Sequence, residues 1–359
     1  MDIESKFDLI KQVGEEILTE EELVHLLKTK EHPIAYDGFE PSGYSVHIAQ
    51  GLLRSITVNK MLKAGIKFVM YAADWHAWTN LKLGGDLDKI HVAGDYLVEV
   101  WKACGMDTDK IKIIRATDIV YEKSYWKTVV KIAQSATVKR LIRCSQIMGR
   151  KESDILAGSQ ILYPCMQAAD VYEIGADITS LGMDQKKVYV LCREIAPKLG
   201  LWKPVIVSHH MLMGLLEPPR NVQDPVEKAT AMKMSKSRPD SAIFMTDSKE
   251  EIIRKIKGAY CPAKQVEDNP ILEYCKYILF EKFKSLKIER PDKYGGDMEI
   301  ESYNELIRIY SNGDLHPMDL KNCVAARIDE LISPVRNHFE KNTKAGKLLE
   351  QVRSFKITQ

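Results

Sequence analysis

Five short apolar runs, each followed by a stretch of helical pattern or a turn leading into one, constrain this chain more than any other feature. They cover 34–39, 66–73, 111–114, 178–182 and 204–208. Between them, Leu52, Leu53, Val58, Met61 and Leu62 recur at helical spacing up to Gly65, and helical patterns return at 86–104, 125–149, 164–174 and 184–199. Strands alternating with helices of this length form βαβ units, and these assemble into a parallel sheet. A ligand of such a sheet lies beyond the carboxyl ends of its strands, where the strand order reverses. The loops after Phe39, Ala73 and Leu181 are therefore the expected site loops.

The flanks read differently. Ile10, Val13, Ile17, Leu23, Leu26 and Leu27 recur among Glu and Lys, which predicts one helix over 5–30. The segment 211–240 carries Pro218, Pro219, Pro225 and Pro239 and reads as a hinge, and 248–358 beyond it is mostly helical in pattern. The 359 residues thus divide into an N-terminal helical segment, 1–32, a parallel-sheet domain, 33–240, and an α-helical domain, 241–359.

Composition narrows the setting. With 45% hydrophobic and 28% charged residues the chain is an ordinary globular one. No apolar run approaches the roughly 18 residues of a membrane span. The start, Met1-Asp2-Ile3-Glu4-Ser5, is too polar for a signal peptide. Seven scattered cysteines without a CxxC pair argue against a zinc site or a disulfide framework, and for a reducing cytoplasm. A net charge of +2 neither requires nor excludes nucleic acid.

Three short elements carry chemistry. Lys233-Met234-Ser235-Lys236-Ser237 sets two lysines and two hydroxyls in one anion clamp, although such a pentapeptide alone is an ordinary solvated loop. Phe39-Glu40-Pro41-Ser42-Gly43 with His47-Ile48-Ala49-Gln50 offers a second anion site, at the start of a helix where backbone N–H groups are free. In 163–170, Tyr163, Gln167 and Asp170 have i, i+4, i+7 spacing and share one helical face. Pro164 suits the first turn of that helix, leaving Tyr163 at its entrance. Asp170, among Ala168, Ala169 and Val171, needs a hydrogen-bond partner if that face is buried; the plainer reading is a polar stripe facing solvent. Asp74 and His76 follow the second strand and would line the same cleft. Lys139, Arg140, Arg143, Arg150 and Lys151 form a basic stretch spread over more than one helical face.

The order K-M-S-K-S is the signature of class I aminoacyl-tRNA synthetases. From about 30 to 340 the chain resembles the tyrosyl-tRNA synthetases of archaeal and eukaryotic type. The resemblance is carried by YDGFEPSG (36–43), ADWHAWTN (73–80), YPCMQAAD (163–170), GMDQKK (182–187), KMSKS (233–237), AYCPA (259–263), YGGD (294–297) and LHPMDLKN (315–322). It implies a Rossmann-like parallel-sheet catalytic domain with a helical dimer-interface insertion at about 115–160, and an α-helical C-terminal anticodon-binding domain. The implied activity is tyrosine–tRNA ligation in the cytoplasm by a homodimer acting on L-tyrosine, ATP with Mg2+, and tRNA(Tyr), with no membrane partner.

The resemblance also assigns residues. Tyr36 and Asp170 would hold the substrate phenol, with Tyr163, Gln167 and Gln185 around its α-amino end. Gly38, Glu40, Ser42, His47, Gln50, Gly182, Asp184 and Lys236 would bind ATP; His47, Gln50, Lys233, Ser235, Lys236 and Ser237 would act on its phosphates. Arg143, Lys186 and Lys187 would meet the acceptor stem, and Tyr294, His316 and Asp319 the anticodon. No metal ligand is assigned. Ala49 and Gln50 replace the usual Gly and second His, and Lys186 stands where the family usually has Arg, which is not an equivalent base reader. A tryptophan-specific synthetase, a catalytically silent RNA-binding relative and another nucleotidyltransferase remain the alternatives.

Overall fold

The computed structural model describes residues 1–149, 155–219, 222, 231–234 and 238–355. Ser235, Lys236 and Ser237 of the lysine clamp, and Arg150 and Lys151 of the basic stretch, lie outside the described residues.

The sheet is built as the apolar runs require. Strands β2 (Ile34–Phe39), β3 (Lys67–Ala72), β4 (Ile111–Arg115), β5 (Ile178–Thr179) and β6 (Val205–His209) are mutually parallel where they pair. Helices α3 (Arg54–Lys63), α5 (Leu87–Ala103), α9 (Gly158–Ile174) and α10 (Lys186–Leu199) are among the crossovers. Alternate side chains of each strand enter two different cores. Ala35, Phe68, Met70, Val205 and Val207 pack toward α3, α5 and the C-terminal helices. Tyr36, Val69, Tyr71 and Ile206 pack on the opposite face, with α9 and α10. Burial on both faces is why these strands read as continuous apolar runs rather than alternating ones.

The N-terminal expectation needs correction. In place of one helix there are α1 (Ile3–Lys11), a strand β1 (Gly14–Leu18) and α2 (Glu20–Thr29). β1 pairs antiparallel with β6 and forms the sheet edge, giving the order β1-β6-β5-β2-β3-β4. Gly14 is a poor helix former, and Thr19 opens α2 through a capping box with Glu22. A second correction concerns α9, which begins at Gly158, so Pro164 and Tyr163 sit inside it and not at its entrance.

The strand order reverses between β2 and β5, and this places the crevice between the loops that follow them. The expected helix over 125–149 is divided into α7 (Lys123–Ser135), α8 (Val138–Cys144) and a short 3-10 turn. They follow α4 (Asp74–Thr79) and α6 (Thr117–Val120) in the fold. The region after 248 is helical, with helices Lys249–Gly258, Pro270–Tyr274, Tyr303–Asn312, Pro317–Lys341 and Thr343–Ser354. It also contains a small antiparallel pair, β7 (Leu286–Ile288) and β8 (Met298–Ile300), which the helical pattern hid. Among the described residues no helix is long and apolar enough to cross a membrane. All seven cysteines are buried free thiols.

Candidate active site

A cavity of about 460 Å³ opens at the carboxyl ends of β2 and β5. Tyr36, Tyr163, Gln167, Asp170 and Gln185 all line it, and so do Gly38, Glu40, Ser42, His47, Gln50, Gly182, Asp184 and Lys233. Residues drawn from five separate stretches of sequence therefore share one space.

At the inner end Asp170 is 2% exposed and already serves several donors. Its Oδ1 accepts from Tyr71 Oη at 2.9 Å and Tyr125 Oη at 3.1 Å, and its Oδ2 stands 3.0 Å from His76 Nε2. Burial opposes a charge on His76, but the Asp170 carboxylate outweighs it and raises the imidazole above its usual range. Tyr36 is 1% exposed, and its hydroxyl lies 2.8 Å from that of Tyr189, which accepts from Gln167 Nε2 at 2.8 Å. Burial, with Tyr189 and Asp170 nearby, pushes the Tyr36 phenol well above its usual range and keeps it protonated. Gln167 Nε2 also reaches Gln185 Oε1 at 3.2 Å, and Gln185 Nε2 donates to Ile147 O at 3.0 Å. Tyr163 Oη donates to Glu40 Oε1 at 2.6 Å.

Tyr71, Tyr125 and Tyr189 escaped the sequence reading. Two of them had signals: Tyr71 shares the inner strand face with Val69, whose Cα partner is Tyr36, and Tyr189 follows Gln185 by four residues on α10. Asp74 does not line the cavity, contrary to expectation. It ties α4 to α6 by accepting from Thr117 N at 3.0 Å and Thr117 Oγ1 at 2.8 Å, with His91 Nε2 3.1 Å away.

At the outer end the chain turns into a wide π-helical segment, Ala49–Leu53, immediately after His47. The turn is held from outside: Ile48 N donates to Ile243 O at 2.8 Å and Met245 N to Val46 O at 2.8 Å. A Cβ on Gly51 would meet Met245 Sδ at 2.6 Å and Cys104 Sγ at 3.1 Å, so any larger residue here would have to displace the Met245 side chain. Lys233 Nζ crosses to within 3.7 Å of Asp184 Oδ2. Behind them lies a buried group that sequence reasoning missed. Arg54 Nε is 2.8 Å from Asp37 Oδ2, and His209 Nε2 is 3.8 Å from the same oxygen. Burial pushes the Asp37 carboxyl up to about 7 against the pull of Arg54. Burial and the Arg54 charge hold His209 well below its usual range, hence neutral.

The residues expected to meet nucleic acid lie outside this cavity. Arg143 is exposed on α8. Lys186 pairs with Glu16 on β1 at 2.6 Å, and Lys187 bonds Gln146. His316 caps helix Pro317–Lys341, its Nδ1 accepting from Met318 N at 3.1 Å, with Asp319 in the first turn. Tyr294 closes a short 3-10 turn, Asp292–Tyr294. Arg290 ties the two regions, donating to Gly296 O at 2.9 Å and Asp314 O at 2.9 Å.

Comparison with known proteins follows the same lines. The family model for tRNA synthetases class I (W and Y) matches residues 28–333. The chain is 45% identical to tyrosine–tRNA ligase 1, cytoplasmic, of Arabidopsis thaliana, over 100% of this chain and 90% of that protein. It is 42% identical to the tyrosine–tRNA ligase of Thermococcus kodakarensis across 100% of both. The crystal structure of the Pyrococcus horikoshii tyrosyl-tRNA synthetase complexed with L-tyrosine superimposes with a TM-score of 0.90 at 39% identity, covering 98% of this chain and 100% of that one. On its sheet order, its cavity and these matches, the chain belongs to the class I tRNA synthetases of the tryptophan and tyrosine group.

Proposed function

We propose that the chain joins L-tyrosine to tRNA(Tyr) in two steps within this cavity. The tyrosine carboxylate attacks the α-phosphorus of ATP, a new P–O bond forms, and pyrophosphate leaves. A ribose hydroxyl of the terminal adenosine of the tRNA then attacks the acyl carbon, and AMP departs.

The observation that carries the reading is the hydrogen-bond polarity at the inner end. Gln167 donates to Tyr189, which leaves the Tyr189 proton free to point at Tyr36 and the Tyr36 proton free to point into the cavity. Asp170 has about four acceptor positions; Tyr71 and Tyr125 take two of them on Oδ1, and the His76 imidazole faces Oδ2 at 3.0 Å as an ion pair, which leaves acceptor capacity on the carboxylate. One donor and one acceptor are thus offered to the ligand, which matches a phenol that accepts from Tyr36 and donates to Asp170. Indole would satisfy only the acceptor, and a phenyl ring neither. Discrimination by leaving buried groups unpaired is already the standing example for tyrosine-specific enzymes of this family. In this reading Gln167 Oε1 and the oxygen of Tyr163 accept from the α-ammonium.

At the outer end His47, Gln50, Lys233 and the clamp residues Ser235, Lys236 and Ser237 act on the phosphates, stabilising the charge that builds on the leaving pyrophosphate. Gly38, Glu40, Ser42, Gly182 and Asp184 hold the rest of the nucleotide. Magnesium enters as the counterion of ATP; among the described residues no group of three or more His, Cys, Asp or Glu could hold it apart from the nucleotide. Positioning and electrostatics suffice, and no covalent enzyme intermediate is needed.

Arg143, Lys186 and Lys187 contact the acceptor stem in this reading, and Tyr294, His316 and Asp319 read an unstacked anticodon base by stacking and edge hydrogen bonds. The catalytic unit is the sheet with its helices up to about residue 240, including the edge strand β1 that precedes residue 33, and the anticodon unit is 241–359. A homodimer forms through the helices around 115–155. Tyr121, Trp126, Val130 and Val138 are exposed there, and Trp75 packs edge to face with Trp78, Tyr121 and Trp126. Sedimentation as a monomer would remove that element. A cytoplasmic location follows the Arabidopsis relative's name. The decisive experiment is ATP–pyrophosphate exchange with each of the twenty amino acids: tyrosine alone should support it, and exchange with tryptophan instead would overturn the assignment.

A further inference from the structure

We propose that Glu273, in the helical C-terminal region and remote from the reacting atoms, is a positioning residue for Lys233. This rests on the assignment of Lys233 to the phosphate end of the cavity.

The observations form one connected path. Lys233 has little secondary structure of its own; its backbone pairs antiparallel with Met213 in an isolated bridge. Gly214 N donates to Met232 O at 2.7 Å, which links the two segments. The approach is close, since a Cβ on Gly214 would meet Ser241 O at 2.9 Å and Met232 O at 3.1 Å. Where Lys233 points is therefore set by where 213–214 lies.

That segment is held in turn by Glu273, on the helix Pro270–Tyr274, whose Oε2 accepts from Met213 N at 2.8 Å. Its other oxygen, Oε1, stands 3.1 Å from His210 Nε2. On the far side His210 Nδ1 is 3.2 Å from Glu15 Oε2, on the edge strand β1. The imidazole also lies flat on Tyr277, with ring centroids 4.1 Å apart and an 11° tilt. Burial opposes a charge on His210, but the two carboxylates raise it to about 9, so it is a cation between two anions. A bridged carboxylate of this kind has one orientation, and a backbone N–H bonded to it is fixed more firmly than one bonded to a neutral acceptor. His210, Met211 and Leu212 line the cavity, whereas Glu273 and Glu15 do not. The path thus runs from the sheet edge and the C-terminal helices to the one described lysine of the clamp.

The test uses tyrosine-dependent pyrophosphate exchange by the full chain, comparing wild type, Glu273→Ala, Lys233→Ala and the double variant. Glu273→Ala should lower kcat roughly tenfold, the scale of one hydrogen bond to a charged group, with the KM for tyrosine within about twofold of wild type. Glu273→Gln, which keeps an acceptor at the same reach, should recover part of the loss. In the Lys233→Ala background Glu273→Ala should cost nothing more, because the group it positions is gone. Equal losses in both backgrounds, or a raised tyrosine KM with unchanged kcat, would overturn the proposal. If Glu273→Ala does not fold, His210→Gln is read in the same cycle and should show the same dependence on Lys233. Wild-type exchange by Lys233→Ala would instead remove the assignment of Lys233 itself, whereas a slow Lys233→Ala beside a silent Glu273→Ala defeats this inference alone.

Discussion

The hydroxyls of Tyr36 and Tyr189 lie 2.8 Å apart although 153 residues separate them in sequence. Each ring meets the other edge to face, at 6.2 Å between centroids, so the pair is fixed by packing as well as by the hydrogen bond. Which hydroxyl of the pair donates decides where the Tyr36 proton points.

Tyr189→Phe should therefore weaken the amino-acid site without touching the phosphates. The expected result is a tyrosine KM higher by about tenfold, the equivalent of one hydrogen bond, and a smaller ratio of tyrosine to phenylalanine exchange. Unchanged selectivity would mean that Tyr36 is oriented by the ring contact alone.

Asp170→Asn keeps one carbonyl acceptor but removes the negative charge and one of the two oxygens that face Tyr71, Tyr125 and His76. Buried donors lose their charged partner, and breaking a buried ion pair costs about 3–5 kcal/mol. Urea unfolding should show a loss on this scale together with loss of tyrosine-dependent exchange. A variant of wild-type stability would show that the three donors find other partners.

The pH dependence of stability has a definite sign at His210. Its folded pKa of about 9 lies above the unfolded value of 6.5, so between these limits the folded chain binds more protons. The stabilisation is complete below about 6.5 and disappears as pH rises through about 9. The facing groups are Glu15 from β1 and Glu273 from the C-terminal region, with Lys276 beside Glu15 and His209 next in the chain. Unfolding free energies measured from pH 6 to 10 should fall across this window in wild type and stay flatter in His210→Gln. Parallel curves would assign the fall to other groups.

Tyr294→Ala should separate the two halves of the reaction. Charging of tRNA should weaken by about 1–3 kcal/mol, the value of one stacked base, with pyrophosphate exchange intact. Loss of exchange in this variant would mark a folding role for the turn 292–294.

Much of this was legible in the chain, for reasons that also explain what was not. β2 to β6 showed themselves because residues such as Phe68 and Val69 are buried on opposite sheet faces, which leaves an unbroken apolar run. β1 stayed hidden because Ile10, Val13 and Ile17 fall at helical spacing by coincidence, and an edge strand carries Glu15 and Glu16 toward solvent-accessible partners. The cavity residues carried by short motifs were found. Of the groups around Asp170, His76 was placed in the cleft, but Tyr71 and Tyr125 were not, because β3, α7 and α9 bring them together only on folding. The Arg54–Asp37 pair was not legible because β2 and α3 bring the two charges together only on folding.

The glycine at position 51 has a mechanical consequence. With Met245 pressed against it and with Val46 and Ile48 bonded to the backbone of 243–245, the imidazole-bearing turn is welded to the stretch that leads into the tail helices. Two backbone hydrogen bonds and this contact are the direct connection between that stretch and the turn that carries His47. An added methyl group at that spot would have to push the Met245 side chain aside.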